Sequence, residues 1–115
     1  MFSLSSSNRY LLYGQPCDMR KSFDALCGLV RADLRRDPLS GEVFVFLNRN
    51  RTHLKLLHWE SGGLVLYYKR LEKGTFAPPA GKAPEHVLNW TQLVLMVEGI
   101  TIQKSTRKPR FNVDK

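Results

Sequence analysis

A chain of 115 residues is one domain by size, long enough to bury a single modest core and short for a large catalytic apparatus. Apolar residues make up 43% and aromatics 10%, ordinary globular proportions that exclude wholesale disorder. The balance of 18 Lys and Arg against 10 Asp and Glu leaves +8, which points to an anionic partner such as nucleic acid, an acidic protein or a membrane surface.

Arg9 to Gly14, RYLLYG, is short, aromatic and closed by glycine, the pattern of a first strand. Asp18 is placed to accept the free N–H groups of a first helical turn. Phe23, Leu26, Val30 and Leu34 then recur at helical spacing, and Cys27 widens the stripe, which predicts an amphipathic helix over about Met19 to Arg35. Cys17 and Cys27 accompany no metal-ligand pattern and read as reduced thiols. Pro38 and Gly41 in DPLSGE stop the helix.

A three-strand meander follows. Val43 to Leu47 is a continuous apolar run, NRNR is turn chemistry, Leu54 to Trp59 alternates, and ESGG turns the chain into Leu64 to Leu71. Both faces of these strands are apolar, so one helix leaves a face for a second helix or a partner chain to cover. Glu72 to Glu85 reads as a loop crossing the molecule. Pro84 and Glu85 suit the start of a second helix with Val87, Trp90, Val94 and Val97 as its stripe and Gly99 as its stop.

The fold expected is α+β: an antiparallel sheet of about four strands containing the meander, one amphipathic helix packed on it and a second helix near the C-terminus. Residues 1–102 form the domain, and 103–115, QKSTRKPRFNVDK, form a basic, flexible tail. No apolar run approaches the roughly 20 residues that span a bilayer, and the N-terminus lacks a signal-peptide pattern. A cytoplasmic protein without a membrane partner is expected.

Metal-dependent strand transfer or cleavage needs two or three converging carboxylates. No acid in this sequence falls within a predicted strand, where such a platform would be rigid: Asp18 reads as a cap, Glu60 and Glu72 as turn residues, Asp24 and Asp33 as helix surface. His53 and His58 point to opposite faces of one strand and cannot share a metal. Neither a phosphate-cradling glycine loop nor a nucleophile elbow is present. The expectation is a protein without catalytic residues, metal or cofactor.

Cations are the stronger signal. Arg49, Arg51 and Lys55 cluster at the first turn of the meander, Lys69 and Arg70 lie at the far end of its last strand, and Arg20 and Lys21 open the first helix. Lys104, Arg107, Lys108 and Arg110 charge the tail. Such groups neutralise phosphates, and aromatic residues among them stack on bases where exposed, although Trp59 and Tyr67 read as core.

DMRKSFDALCGLV (Asp18 to Val30) and DPLSGEVFVFLNRNRTHLKLLHWESGGLVLYYKRLEKGTF (Asp37 to Phe76) resemble the TnpB accessory proteins, Orf-two-like, of the sixty-six family of bacterial insertion sequences. The similarity runs from about Arg9 to Ile100, carried by RKSFD, DPLSG, VFVFLNR and KRLEKG together. The resemblance implies a non-enzymatic protein of insertion-sequence transposition, with the strand-transfer catalyst on a separate transposase. It implies as partners the element-end DNA or the transposase–DNA complex. The alternative is an adaptor that binds protein alone, as a homodimer or on the transposase.

Overall fold

The computed structural model describes residues 4–78 and 85–98. Within them the chain forms β1 (Tyr10–Tyr13), α1 (Phe23–Ala32), β2 (Val43–Leu47), β3 (His53–Glu60), β4 (Gly63–Arg70), β5 (Glu85–Leu88) and α2 (Trp90–Val97). The strands make one sheet in the order β4-β3-β2-β1-β5. The class is α+β, and the meander β2–β3–β4 pairs antiparallel in the register Val45↔Leu56 and Leu56↔Tyr67.

Strands β1 and β2 are buried on both faces, which is why YLLY and VFVFL are continuous apolar runs. On one face Tyr10, Leu12, Val43, Val45, Leu54, Leu56 and Leu88 pack against Leu93 and Met96 of α2, with Tyr67 at the margin. On the other, Leu11, Tyr13, Phe44, Phe46 and Leu57 pack against Leu26, Cys27 and Val30 of α1, with Leu64 and Leu66 at the margin. The second apolar face of the sheet is therefore covered from within the chain. Trp59 is half-buried and belongs to neither cluster. Cys17 and Cys27 are buried free thiols.

The sheet differs from the expected one in two ways. It is mixed, because β1 pairs parallel with β2, Leu11 opposite Phe44. Adjacent parallel strands need a crossover, and α1 provides it. It also has a fifth strand: Glu85–Leu88, expected to begin the second helix, pairs antiparallel with β1. The helix starts later because Asn89 caps it. The Asn89 side chain accepts the Gln92 N–H at 2.7 Å, and the Gln92 side chain accepts the Asn89 N–H at 3.0 Å.

The first helix is shorter than its stripe suggested. Asp18 does not cap it; its carboxylate accepts the Arg20 N–H in a separate turn, and Ser22 holds the N-cap position. At the other end Arg35 takes a left-handed conformation, φ 56°, and the Arg36 N–H returns to the Val30 carbonyl. The Tyr13 hydroxyl then ties β1 to the helix end by donating to Asp33. Burial first, and the carboxylate of Asp33 second, push the Tyr13 hydroxyl up to about 12, so this bond persists across the physiological range.

In urea titrations Phe44→Ala, which empties a fully buried site under α1, is expected to cost about 3–5 kcal/mol. Asn89→Ala, which removes only the cap of α2, is expected to cost about 1 kcal/mol. Equal costs would contradict this division of the core.

Candidate functional site

Strand direction gathers the cations. The carboxyl ends of β1, β2 and β4 and the start of β3 all lie at one end of the sheet, since Leu47 pairs with Leu54 and His53 with Arg70. The first turn of the meander and the far end of its last strand are thus neighbours, although Thr52 and Arg70 are 18 positions apart in sequence. The chain also brings the segment before α1 to this end, where the Cys17 N–H donates to the Leu47 carbonyl at 2.8 Å. The opposite end carries Glu42 at the start of β2 and Glu60 at the end of β3. Glu42 is paired there with Arg9 and Arg36.

The turn between β2 and β3 is built by the side chain of Asn48. Its oxygen accepts the N–H groups of Thr52 and His53, at 2.9 and 3.0 Å, and its nitrogen donates to the Thr52 hydroxyl. Arg51 sits at φ 59°, a left-handed position held by these bonds. Two further strands of backbone are pinned to the turn: Leu71 N–H donates to Thr52 and Phe76 N–H donates to Arg51, at 2.9 and 2.7 Å. Arg49 and Arg51 project from this fixed turn, both exposed and without an ion-pair partner among the described residues.

The remaining sequence candidates divide. Arg20 is exposed but paired with Asp18 at 2.7 Å, and Arg70 is exposed but paired with Glu72 at 2.9 Å. The Arg20 side chain, then its N–H, hold the Asp18 carboxyl down at about 2, so the pair survives at neutral pH and is lost only as pH falls towards that value. Lys21 is half-buried at the same end. Lys69 turns inward, donating to the Val97 carbonyl at the end of α2 at 2.8 Å. Lys104, Arg107, Lys108 and Arg110 lie outside the described residues, as does the rest of the tail.

Lys55 is placed differently from the exposed cations. It is 4% exposed, and its ammonium donates to the carbonyls of Met19 and Lys21, each at 2.7 Å, with the Tyr68 ring 4.6 Å away. A buried lysine committed in this way has no proton donors left facing solvent for a phosphate. Its role is to hold the Met19–Lys21 segment, and so Arg20 and Lys21, against the sheet end.

Between the turns lies a pocket of about 180 Å³ lined by Leu12, Tyr13, Gly14, Gln15, Pro16, Leu47, Asn48, Arg49, Arg51 and Pro78. Gly14, Gln15, Pro16 and Pro78 were not singled out by the sequence. The strand–helix–strand order from β1 to β2 was the available signal, because it makes parallel neighbours whose following loops meet. Among the described residues no group of three His, Cys, Asp or Glu side chains could hold a metal ion, and no helix is long and apolar enough to cross a membrane.

The family model described as IS66 Orf2 like protein matches residues 8–107. The chain belongs to that family. Its members are accessory proteins of insertion-sequence transposition, a family not known as enzymes. The chain is 31% identical over 109 residues to the uncharacterized protein y4jC of Sinorhizobium fredii, covering 95% of this chain and 93% of the relative. It is 34% identical over 83 residues to y4hO of the same organism, covering 72% of each. No solved structure matches it.

The two fates of lysine and arginine in this IS66 Orf2 like protein are separable by stability. Lys55→Met, which leaves the Met19 and Lys21 carbonyls without their donor, is expected to cost about 1–3 kcal/mol in a denaturation experiment. Arg49→Ala is expected to stay within about 0.5 kcal/mol of the parent. A neutral Lys55→Met would contradict the clamp.

Proposed function

We propose that the chain serves transposition by holding DNA at the cationic end of its sheet, with Arg49 and Arg51 as the primary phosphate contacts. The observation that carries this reading is the convergence of cations from separate stretches of sequence on one end, with two guanidiniums on a rigid turn that have no ion-pair partner among the described residues. Unpaired, exposed guanidiniums give up little to meet a phosphate, whereas Arg20 and Arg70 must first leave Asp18 and Glu72. Lys21 extends the positive surface, and Lys104, Arg107, Lys108 and Arg110 of the basic tail serve as further phosphate contacts. Phosphate contacts position a protein without specifying sequence, so selectivity for element ends is left to the transposase or to DNA shape.

A second reading, an adaptor for the transposase or a second copy, is favoured by one observation. Trp90 and Val94 of α2 are each 37% exposed, and both line a groove of about 200 Å³. The two surfaces lie on different parts of the molecule and can serve together.

Fluorescence anisotropy of labelled duplexes at several salt concentrations tests the first reading. The expected result is a log–log salt slope of several units, reduced by about 2 in the Arg49→Ala/Arg51→Ala variant, each phosphate contact being worth roughly −0.9. Absence of binding at low salt would overturn it and leave the apolar surface as the functional one.

A further inference from the structure

We propose that the pocket at the carboxyl ends of β1 and β2 receives one unpaired nucleotide of DNA, a step that rests on the reading of this end as a DNA surface. Shape is the first ground. A duplex presents a convex, regular backbone that lies across a rim without entering it. A pocket of about 180 Å³ is filled only by a nucleotide at a frayed end, in an overhang or swung out of the stack.

Lining chemistry is the second ground. Pro16 and Pro78, with the margins of the buried Leu12 and Leu47, supply the apolar part of a largely polar lining on which the flat face of a base can rest. Arg49 and Arg51 stand at the same pocket with guanidiniums for the attached phosphate. The Asn48 amide is committed to Thr52 and His53. The amide left over is that of Gln15, exposed and without a hydrogen bond among the described residues, with both a donor and an acceptor for a base edge.

Rigidity is the third. Each wall is tied to another by main-chain hydrogen bonds, Cys17 to Leu47 and Phe76 to Arg51, so the pocket is formed before any ligand arrives and little ordering is left to binding. Its place also fits a general pattern, since open sheets bind ligands outside the carboxyl ends of parallel strands, here β1 and β2. Apolar walls accept any base, so the pocket distinguishes unpaired from paired DNA and not one sequence from another.

The test compares two labelled DNAs of the same sequence by anisotropy with the full chain at one salt concentration: a blunt duplex, and the duplex carrying three unpaired nucleotides at one end. The unpaired-end DNA is expected to bind about tenfold tighter. Gln15→Glu, a surface change that places a carboxylate at the pocket, is expected to bring the two affinities together. Thr91→Glu makes the same charge change beside Trp90, which packs on Tyr10 at the other end of β1, and is expected to keep the preference. Equal affinity of the parent chain for both DNAs would overturn the pocket proposal and leave the cationic surface standing. Failure to bind either would overturn both. A preference that survives Gln15→Glu undiminished would also overturn the assignment to this pocket.

Discussion

Pairing β1 with β2 in parallel obliges the chain to travel back along the sheet before β2 can begin, and α1 makes that journey across one face. Much of the molecule is arranged by this. With α1 on one face, the apolar residues of β1 and β2 that point the other way need a second cover, which α2 supplies after β5 has extended the sheet beyond β1. The same pairing sets the carboxyl ends of β1 and β2 side by side. The loops that follow them, residues 14–17 and the turn after Leu47, are brought together and joined by the Cys17–Leu47 hydrogen bond.

Charge follows from topology in the same way. In a meander the ends of alternate strands return to one side, so Arg49, Arg51, Lys69 and Arg70 meet although they belong to the turn between the second and third strands and to the end of the fourth. Local pairing then sorts them. Arg20 and Arg70 are held by acids two residues away, Lys69 closes the end of α2, and Lys55 is drawn under Tyr68 to hold the segment before α1. What stays available is a pair of guanidiniums on a turn that Asn48 makes rigid. A basic composition alone would not distinguish these positions; the distinction comes from which cations lie at this end on a turn fixed by Asn48 and have no ion-pair partner among the described residues.

The sequence made the meander legible because its signals are local: alternation in Leu54 to Trp59, turn chemistry in NRNR and ESGG. The stripe of α1 was legible for the same reason, and the Asp18 cap was not, since an aspartate ahead of a helix serves a preceding turn equally well. The partner of β1 was hidden, because pairing with β2 or with β4 leaves the same pattern in RYLLYG. Strand β5 was hidden by length. Four residues, EHVL, satisfy a helical stripe and a strand alike, and it is the capping box of Asn89 and Gln92 that decides between them. Arg49 and Arg51 were legible as a cationic turn. The fate of Lys55 was not, because alternation gives its face and not what closes over it. The pocket depends on three stretches distant in sequence, so no single motif announced it.

The claim that the cationic end of the sheet is where DNA is held is tested most directly by mapping amide shifts in a two-dimensional nitrogen–proton NMR titration of the full chain with duplex DNA. The account predicts the largest shifts at Gly14, Gln15, Arg49, Asn50 and Arg51, with Val87, Trp90 and Val94 unmoved. Shifts confined to Trp90 and Val94 would contradict it and move the functional surface to the exposed side of α2.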